Sequence, residues 1–254
     1  MDQYTSVLTD EALKEALPLI RRYLENEAQS HKRRDLTRSR KLRQVKELHA
    51  LLEASGVYDY TITGGPTIQA YLDMDTENGP WIVIQRRTSP NVNFYRHWAN
   101  YKNGFGNLHG NFWLGNDNIH LLTSNPMVLR VVLEGWDGTK GYAQYSSFQI
   151  ANEAQNYRLS VSGFSGTIST NALGSHDGYD FTTRDRDNDV NNHENCASTY
   201  RGAWWYYDCL YSNLNGIYAV DVGDTDVTSM FWRDFPRSDV GAPLKKCTMM
   251  IRKP

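Results

Sequence analysis

The amino-acid sequence predicts an α+β protein, in which a mixed or antiparallel sheet is combined with a long loop-rich region and preceded by a helical segment. Short apolar runs such as 81–85 and 129–133 alternate with Gly, Asn and Asp at intervals of about ten residues, which is typical of strands and turns. Regular patterning fades over 174–246, and a long irregular region inside a compact domain usually serves a site. We therefore expect two parts, a helical stalk at 1–50 and a recognition domain at 51–254.

The N-terminal segment carries a coiled-coil-like pattern. Asp10 can cap a helix, and Pro18 is expected to kink it because proline lacks an N–H and clashes with the preceding turn. Apolar residues recur at four-three spacing near both ends, whereas polar and basic residues occupy the same register in the middle, so only the ends can pack against partners. The apolar positions are Leu13, Leu17, Ile20, Leu24, Val45, Leu48 and Leu52, and the polar ones are Glu27, His31, Arg34, Arg38 and Lys41.

This segment is interpreted as an oligomerising stalk that makes the protein a homo-oligomer. The alternative is a helix that packs back on its own domain. Its basic middle is either a solvated helix face or a contact for anionic glycans or membrane surfaces.

Composition excludes several classes of function. Lys and Arg total 27 against 29 Asp and Glu, so a dedicated nucleic-acid binder, which is normally strongly basic, is not expected. No run approaches the roughly 20 apolar residues of a membrane span. The first residues lack a signal-peptide pattern, which leaves open a cytosolic chain or a mature form. The 16 Tyr and 7 Trp suit a binding surface or the core of a loop-rich domain.

The run Asp-Arg-Asp-Asn-Asp at 185–189 predicts a calcium site. Calcium takes six to eight oxygen ligands from carboxylates, backbone carbonyls and water. Asp187 and Asp189 can face one ion, with backbone carbonyls from Asn191 and from a residue near His193. The complete EF-hand pattern is absent, and the alternative is an acidic solvated loop. The oxygen-rich surroundings argue against a zinc or iron site that uses the His193 ring.

The cysteines and the missing catalytic motifs limit the chemistry further. Cys196 and Cys209 flank a Trp-Trp-Tyr-Tyr run, and a bridge between them would close a loop of about 14 residues and stabilise by roughly 3 kcal/mol. Cys247 is left over, either for an intermolecular bridge or as a buried free thiol. The Gly-Phe-Ser-Gly run at 163–166 is not a nucleophile elbow, and no phosphate loop or dinucleotide motif occurs, so we expect no enzyme.

Several long, aromatic-rich blocks carry a resemblance to a known family. Residues 104–117 read Gly-Phe-Gly-Asn-Leu-His-Gly-Asn-Phe-Trp-Leu-Gly-Asn-Asp, and the second Cys is followed by Ser-Asn-Leu-Asn-Gly at 212–216. The chain from about residue 51 to 254 closely resembles the fibrinogen-related (fibrinogen C-terminal) domain family, and its motifs are most similar to ficolin and tachylectin-type lectins. Further matching blocks are 81–87, 136–138, 195–197, 202–206, 208–209 and 250–252.

The resemblance implies a secreted protein with a calcium ion at Asp187 and Asp189 and a disulfide between Cys196 and Cys209. In the lectin branch, N-acetyl groups are bound beside this calcium. The peptide bond before the second Cys is cis there, and two successive backbone N–H groups face the acetyl oxygen between aromatic walls. The ligand-binding residues implied for this chain are Tyr200, Tyr206, Tyr207, Asp208, Cys209, Leu210 and Asp226.

The chain also departs from the family pattern. One extra residue separates Asp189 from Cys196, Leu210 stands where lectins have His, and Asp226 replaces a wall aromatic. An acidic, wider pocket suits a larger acetylated sugar such as sialic acid, or no sugar at all. The family's first disulfide is absent, because the block at 71–74 reads Tyr-Leu-Asp-Met, and we expect packing around Leu72 to compensate.

These observations predict a secreted, calcium-binding lectin that recognises N-acetylated glycans, namely N-acetylglucosamine, N-acetylgalactosamine or sialic acid, in innate immune recognition or agglutination. The first alternative is an extracellular protein-binding module that acts as a receptor ligand. The second is a structural component of the extracellular matrix.

Overall fold

The computed structural model describes residues 18, 19, 21, 22, 54–221, 223 and 225–254. The predicted stalk and its boundary with the recognition domain lie outside this part of the chain, although Pro18, Leu19, Arg21 and Arg22 are helical. The chain divides into two compact units, 1–80 and 81–254.

In the first unit, the described residues form an antiparallel hairpin. Strand β1 (Gly56–Thr61) pairs with β2 (Thr67–Asp73), so that Gly56 faces Leu72 and Thr61 faces Thr67. Leu72, which stands in the block where the family has a cysteine, is buried. A buried apolar side chain therefore stands at this position in place of a disulfide, in agreement with the expectation that packing around Leu72 compensates for the missing bridge.

The second unit is built on an antiparallel sheet in the order β3-β9-β6-β7-β8. The last strand, β9, lies between β3 and β6 and pairs with both, so the C-terminal end of the domain forms the middle of the sheet. A short hairpin of β4 and β5 pairs with β3 through β5. The predicted α+β class with a largely antiparallel sheet is confirmed. The strands are β3 (Trp81–Arg87), β4 (Phe105–Gly106), β5 (Phe112–Trp113), β6 (Met127–Gly135), β7 (Lys140–Ile150), β8 (Leu159–Gly166) and β9 (Leu244–Arg252).

The helices of the described residues are short and lie between the strands. None of them is long and apolar enough to cross a bilayer. Gly104, just after the first helix, has a φ of 88°, and a Cβ there would stand 2.6 Å from the carbonyl oxygen of Leu114. This close backbone approach explains the glycine at the start of the 104–117 block. The helices are α1 (Trp98–Asn103), α2 (Asn116–Leu122) and α3 (Cys196–Thr199), with 3-10 turns at Glu153–Gln155 and Leu173–His176.

An aromatic core joins the sheet to the irregular region that follows residue 174. The Phe181 ring lies 5.2 Å from Trp205, 5.3 Å from Tyr101 and 6.1 Å from Trp113, measured between centroids. All four side chains are buried. Aromatic pairs at such separations stabilise beyond the area they bury, so the loops of 174–216 are anchored on a rigid platform.

Buried polar side chains of the sheet reach into this irregular region. The Gln85 amide donates to the Leu214 carbonyl at 3.0 Å, and the Arg87 guanidinium donates to the carbonyls of Leu214 and Gly216 at 3.0 and 2.9 Å. Arg87 lies 3.9 Å from the Phe94 ring centroid. Irregular buried backbone must find hydrogen-bond partners, and these two side chains supply them.

Cys247 is a free thiol on β9, buried beside Gln85, with its Sγ 3.2 Å from Gln85 Oε1. Burial raises the pKa of this thiol to about 12. The structure therefore selects the second of the two expectations for the odd cysteine, a buried free thiol.

We predict that Cys247 is inert to thiol reagents in the native protein, because the reactive thiolate is neither accessible nor populated near neutral pH. Titration with a chromogenic disulfide reagent should detect no fast-reacting thiol in buffer and one thiol after denaturation. Rapid reaction of the native protein, or a Cys247-linked dimer on a non-reducing gel, would contradict this.

Candidate functional site

The Cys196–Cys209 disulfide is present, with the Cα atoms 5.7 Å apart. It links the start of α3 to the loop that follows the Trp-Trp-Tyr-Tyr run. Trp204 and Trp205 of that run are buried, and Trp205 Nε1 donates to the Tyr157 carbonyl at 2.7 Å. The predicted bridge is confirmed, and it closes the loop of the candidate site over the aromatic core.

Two successive backbone N–H groups are free at this bridge. The Asp208–Cys209 peptide bond is cis. Among the described residues, neither the Cys209 nor the Leu210 N–H has a hydrogen-bond acceptor, although Tyr207 N–H donates to the Cys209 carbonyl at 2.9 Å. Two adjacent N–H groups that no protein oxygen occupies can both donate to one carbonyl or carboxylate oxygen of a ligand.

Buried His176 holds the chain immediately after these donors, and no motif in the sequence points to it. Its Nδ1 donates to the Trp205 carbonyl at 2.8 Å, and its Nε2 accepts from the N–H groups of Tyr211 and Ser212, each at 3.2 Å. This pattern requires a neutral ring, and burial lowers the pKa of His176 from 6.5 to about 4. A lone His outside any spacing motif cannot be recognised as such a bridge from the sequence.

The aromatic residues near the free donors differ in accessibility. Tyr207 is 43% exposed and its ring lies 4.7 Å from that of Tyr179. Tyr200 is half-buried. Tyr206, expected as a pocket wall, is completely buried, and its hydroxyl donates to Asn213 Oδ1 at 2.8 Å. This expectation is therefore corrected: Tyr206 has no face turned to solvent and supports the loop from behind.

Asp226 is half-buried and is engaged in its own turn. Its Oδ1 accepts from the N–H and the Oγ1 of Thr228 at 2.9 and 2.7 Å, and its N–H donates to the Gly241 carbonyl at 2.8 Å. Within the described part of the chain, no hydrogen bond joins Asp226 to residues 206–210. Its assignment to the ligand site stays a prediction.

The acidic run at 185–189 divides its carboxylates between two roles. Asp185 is used by the framework, because its Oδ1 accepts from Trp98 N–H at the start of α1, 2.9 Å, and from Thr183 Oγ1, 2.7 Å. The guanidinium of Arg186 lies 3.9 Å from the Trp98 ring centroid and donates to Asn156. Asn188, between the other two carboxylates, is also held by the framework, because its Nδ2 donates to the Phe181 carbonyl at 2.7 Å.

Asp187 and Asp189 lie side by side. Asp189 Oδ2 accepts from Cys196 N–H at 2.9 Å, and Asp187 Oδ1 accepts from Asp189 N–H at 3.3 Å. Burial and the charge of Asp187 raise the pKa of Asp189 to about 6, while the bond from Cys196 opposes the rise. Two carboxylates that repel each other in this way fit a hard cation.

The remaining ligands of such a cation would have to be carbonyl and water oxygens. Among the described residues, no three His, Cys, Asp or Glu side chains form a metal-binding group. The Asn191 side-chain oxygen accepts from the N–H groups of His193 and Glu194, at 2.8 and 3.3 Å, so Asn191 offers its backbone carbonyl. His193 itself is exposed. This arrangement fits calcium, which accepts backbone carbonyls and water.

Asn191 also connects the acidic loop to the free donors. Its Nδ2 donates to Asp208 Oδ1 at 2.8 Å, next to the cis peptide bond. The candidate cation site and the candidate ligand site are thus joined by one side-chain hydrogen bond and by the disulfide. The resemblance implied that the two sites are neighbours, and these links join the two groups of residues in the structure.

Comparison with known proteins shows the family. The family described as "Fibrinogen beta and gamma chains, C-terminal globular domain" matches residues 46–254. The chain belongs to the fibrinogen C-terminal domain family. The resemblance found in the sequence is therefore confirmed.

This fibrinogen-related chain is similar to two kinds of relative. It is 46% identical over 167 residues to angiopoietin-related protein 7 of Mus musculus, a match that covers 65% of this chain and 49% of that protein. It is 41% identical over 199 residues to ficolin-3 of Homo sapiens, which covers 78% and 66%. The chain thus spans about half the length of the angiopoietin-related protein.

Solved structures of fibrinogen-like domains have the same fold. The fibrinogen-like globe domain of human ANGPTL2 aligns with a TM-score of 0.74 and 36% identity, over 82% of this chain and 97% of that one. A lamprey fibrin D-dimer, complexed with the peptide ligand Gly-His-Arg-Pro-amide, aligns with a TM-score of 0.69 and 27% identity, over 94% and 84%.

We predict that this fibrinogen-related domain loses stability through His176 as the pH falls. The pKa is about 4 in the folded protein against 6.5 ordinarily, so the unfolded chain binds one more proton between these values. The contribution of His176 to the free energy of unfolding is fully present above pH 6.5 and is lost progressively down to about pH 4. The loss is on the order of 3 kcal/mol. Denaturant unfolding over this pH range, with a chelator present, measures the loss.

The matched variant is His176→Gln, which keeps one donor and one acceptor but does not titrate. The difference between the two pH profiles isolates His176, because other titrating groups are shared. The free energy of unfolding should fall more steeply with decreasing pH in the wild type, by a slope that corresponds to one additional proton bound on unfolding. Parallel profiles of the two proteins would show that His176 is not the group responsible.

Proposed function

We propose that this chain is a binding protein of the extracellular space, and specifically a calcium-supported lectin that recognises N-acetylated glycans. The single observation that carries the proposal is the pair of free N–H groups on Cys209 and Leu210, next to the exposed ring of Tyr207. An acetamido group has a carbonyl oxygen that accepts from two donors and a methyl group that packs on an aromatic ring, so it matches both features.

The recognition step would use this chain's own groups in three ways. The two N–H groups donate to the acetamido oxygen, and the Tyr207 ring, held against Tyr179, contacts the methyl group. His176 maintains the donors by accepting from the next two N–H groups of the chain. Because these donors are already oriented and unpaired in the folded protein, little ordering cost is added when a ligand arrives.

Calcium would be held by Asp187, Asp189, the Asn191 carbonyl and a carbonyl near His193, and it would supply the positive charge that relieves the carboxylate repulsion. The Asn191–Asp208 hydrogen bond would then couple the order of this loop to the donor pair. This role is structural, since the free donors themselves face the ligand.

Multivalency would follow from the N-terminal segment. Single-site affinities for sugars are weak, and linking several sites raises avidity by factors of about 100 to 10,000 without new contacts. Residues 1–50 are proposed as the stalk that supplies this linkage. Secretion is proposed as well, because disulfides such as Cys196–Cys209 persist in oxidising compartments.

A second candidate is a protein-binding module without sugar recognition. It is supported by the 46% identity to angiopoietin-related protein 7. It is also supported by two apolar side chains near the same loop, Val190 at 47% and Tyr211 at 40% exposure. Both side chains are accessible to a protein partner.

We predict calcium-dependent binding of the full chain to N-acetylated glycans on a glycan array, and loss of binding to the matching amino sugars that lack the acetyl group. The physical reason is that the free ammonium offers no carbonyl to the donor pair. The absence of binding both with calcium and with chelator would reject the lectin proposal and favour a protein partner. Binding that survives chelation would show that sugar recognition does not require calcium.

We predict that Asp187→Asn weakens calcium binding and reduces the thermal stabilisation that calcium provides. Calcium at about 100 times its Kd stabilises the folded state by about 2.7 kcal/mol, and a tenfold loss of affinity leaves about 1.4 kcal/mol. Differential scanning calorimetry with calcium and with chelator should resolve this, since 1 kcal/mol shifts the Tm of a domain of this size by about 2–4 °C.

Glu194→Gln is the matched control, because it removes a negative charge from the same loop without touching the carboxylate pair. Its calcium response should remain that of the wild type. An equal wild-type Tm with calcium and with chelator would count against any calcium site here.

A further inference from the structure

Arg186 is held at three points by the framework, immediately before the first carboxylate of the candidate cation pair. Its guanidinium carbon lies 3.9 Å from the Trp98 ring centroid, and its Nη2 donates to Asn156 Oδ1 at 2.7 Å. Its Nη1 lies 3.9 Å from Glu153 Oε1. Because Arg186 directly precedes Asp187 in the chain, these contacts fix the point from which the acidic loop extends.

The surface that receives the Arg186 side chain is itself rigid. Trp98 is buried and its ring is stacked on that of Tyr157, with the centroids 5.4 Å apart. The Trp98 Nε1 donates to Glu153 Oε1 at 2.8 Å, and Glu153 is also paired with Lys102. A guanidinium that stacks on a fixed aromatic face has its plane held as well as its charge. Arg186 therefore rests on groups that are themselves held in place.

The residue before Arg186 reaches the same tryptophan. The helix α1 begins at Trp98 and receives no capping hydrogen bond from the side chain of His97, its N-cap residue. Asp185 Oδ1, 87 residues away in the chain, accepts from the Trp98 N–H instead, at 2.9 Å. Two consecutive residues of the acidic run thus hold one residue of α1, one through its backbone N–H and the other through its ring.

The charge of Arg186 and its contacts act on calcium binding in opposite directions. A cation next to Asp187 repels a divalent ion, so by charge alone Arg186 lowers the affinity for calcium. A loop that is already held loses less conformational freedom when an ion binds, so the contacts of Arg186 raise that affinity. The charge effect is small for a half-exposed side chain in salt solution.

We propose that Arg186 is a positioning residue that raises the calcium affinity of Asp187 and Asp189 by holding their loop on Trp98 before the ion arrives. The proposal rests on the calcium site of the function proposed above. It assigns Arg186 no contact with the ion, because its guanidinium is directed to Trp98, Asn156 and Glu153. The contacts outweigh the repulsion, so the sign of the change on substitution distinguishes the two effects.

The test is the calcium affinity of the full chain with Arg186→Gln, measured by isothermal titration calorimetry with calcium alone. We expect binding about tenfold weaker than in the wild type, the size that corresponds to ordering about one additional residue on binding. Charge alone predicts tighter binding. Raising the salt from 0.1 to 1 M shortens the Debye length from about 10 to about 3 Å, and the tenfold loss should persist.

Arg184→Gln is the matched control, because it removes the same charge from the same loop. Arg184 stacks on Tyr95, which precedes α1, at 4.6 Å. Its calcium affinity should equal that of the wild type or be slightly higher. Arg186→Lys keeps the charge and can stack on Trp98 but lacks the fork that reaches Asn156, so its affinity should be intermediate. This variant also decides the question if Arg186→Gln does not fold, as checked by circular dichroism melts in chelator.

Calcium affinity in Arg186→Gln equal to or higher than in the wild type would overturn the assignment, as would an equal loss in Arg184→Gln. A lower Tm in chelator with unchanged calcium affinity would show that Arg186 serves stability alone. In these cases the calcium site of the wild type stands. If the wild type itself binds no calcium, the calcium part of the proposed function fails and this inference fails with it.

Discussion

The Cys196–Cys209 disulfide connects every part of the candidate site. Cys196 starts α3 and donates its N–H to Asp189 in the acidic loop, and Cys209 carries one of the two free N–H groups. Asn191 adds a side-chain hydrogen bond from the acidic loop to Asp208. A covalent link between the two loops limits how far they can separate, so the candidate cation site and the candidate ligand site are held close together.

A loop-rich region of this length can be ordered only if its backbone polar groups find partners. Here the partners include buried polar side chains as well as the backbone of neighbouring strands, as in the bond from the Leu244 N–H to the Met230 carbonyl. Gln85 and Arg87 reach from β3 to the carbonyls of Leu214 and Gly216, and Asn213 donates to the Tyr200 carbonyl at 2.9 Å. His176 performs the same task under the donor pair. The sheet therefore acts as a platform whose polar side chains hold the shape of the binding loops.

Charge is distributed unevenly around this platform. Asp187 and Asp189 concentrate negative charge beside the Cys196–Cys209 bridge, an arrangement that suits a cation, whereas the positive guanidinium of Arg233 lies 4.6 Å from the centroid of the Tyr211 ring. The net charge of the chain, −2 at pH 7, conceals this local contrast. Recognition by such a site depends on which charged groups have partners within the fold, because a paired side chain such as Asp185 is unavailable to a ligand.

Local patterns in the sequence determined the α+β class, the antiparallel strands, the cysteine pair and the acidic pair, because these depend on residues near one another in the chain or on motifs with fixed spacing. The family followed from long blocks such as 104–117. Contacts between distant residues were decided by the tertiary structure alone. His176 meets Tyr211, Asp185 caps the helix that starts at Trp98, and Arg233 stacks on Tyr211. The same holds for the burial of Tyr206, since the path of an irregular loop follows from packing and hydrogen bonding, which periodicity does not encode.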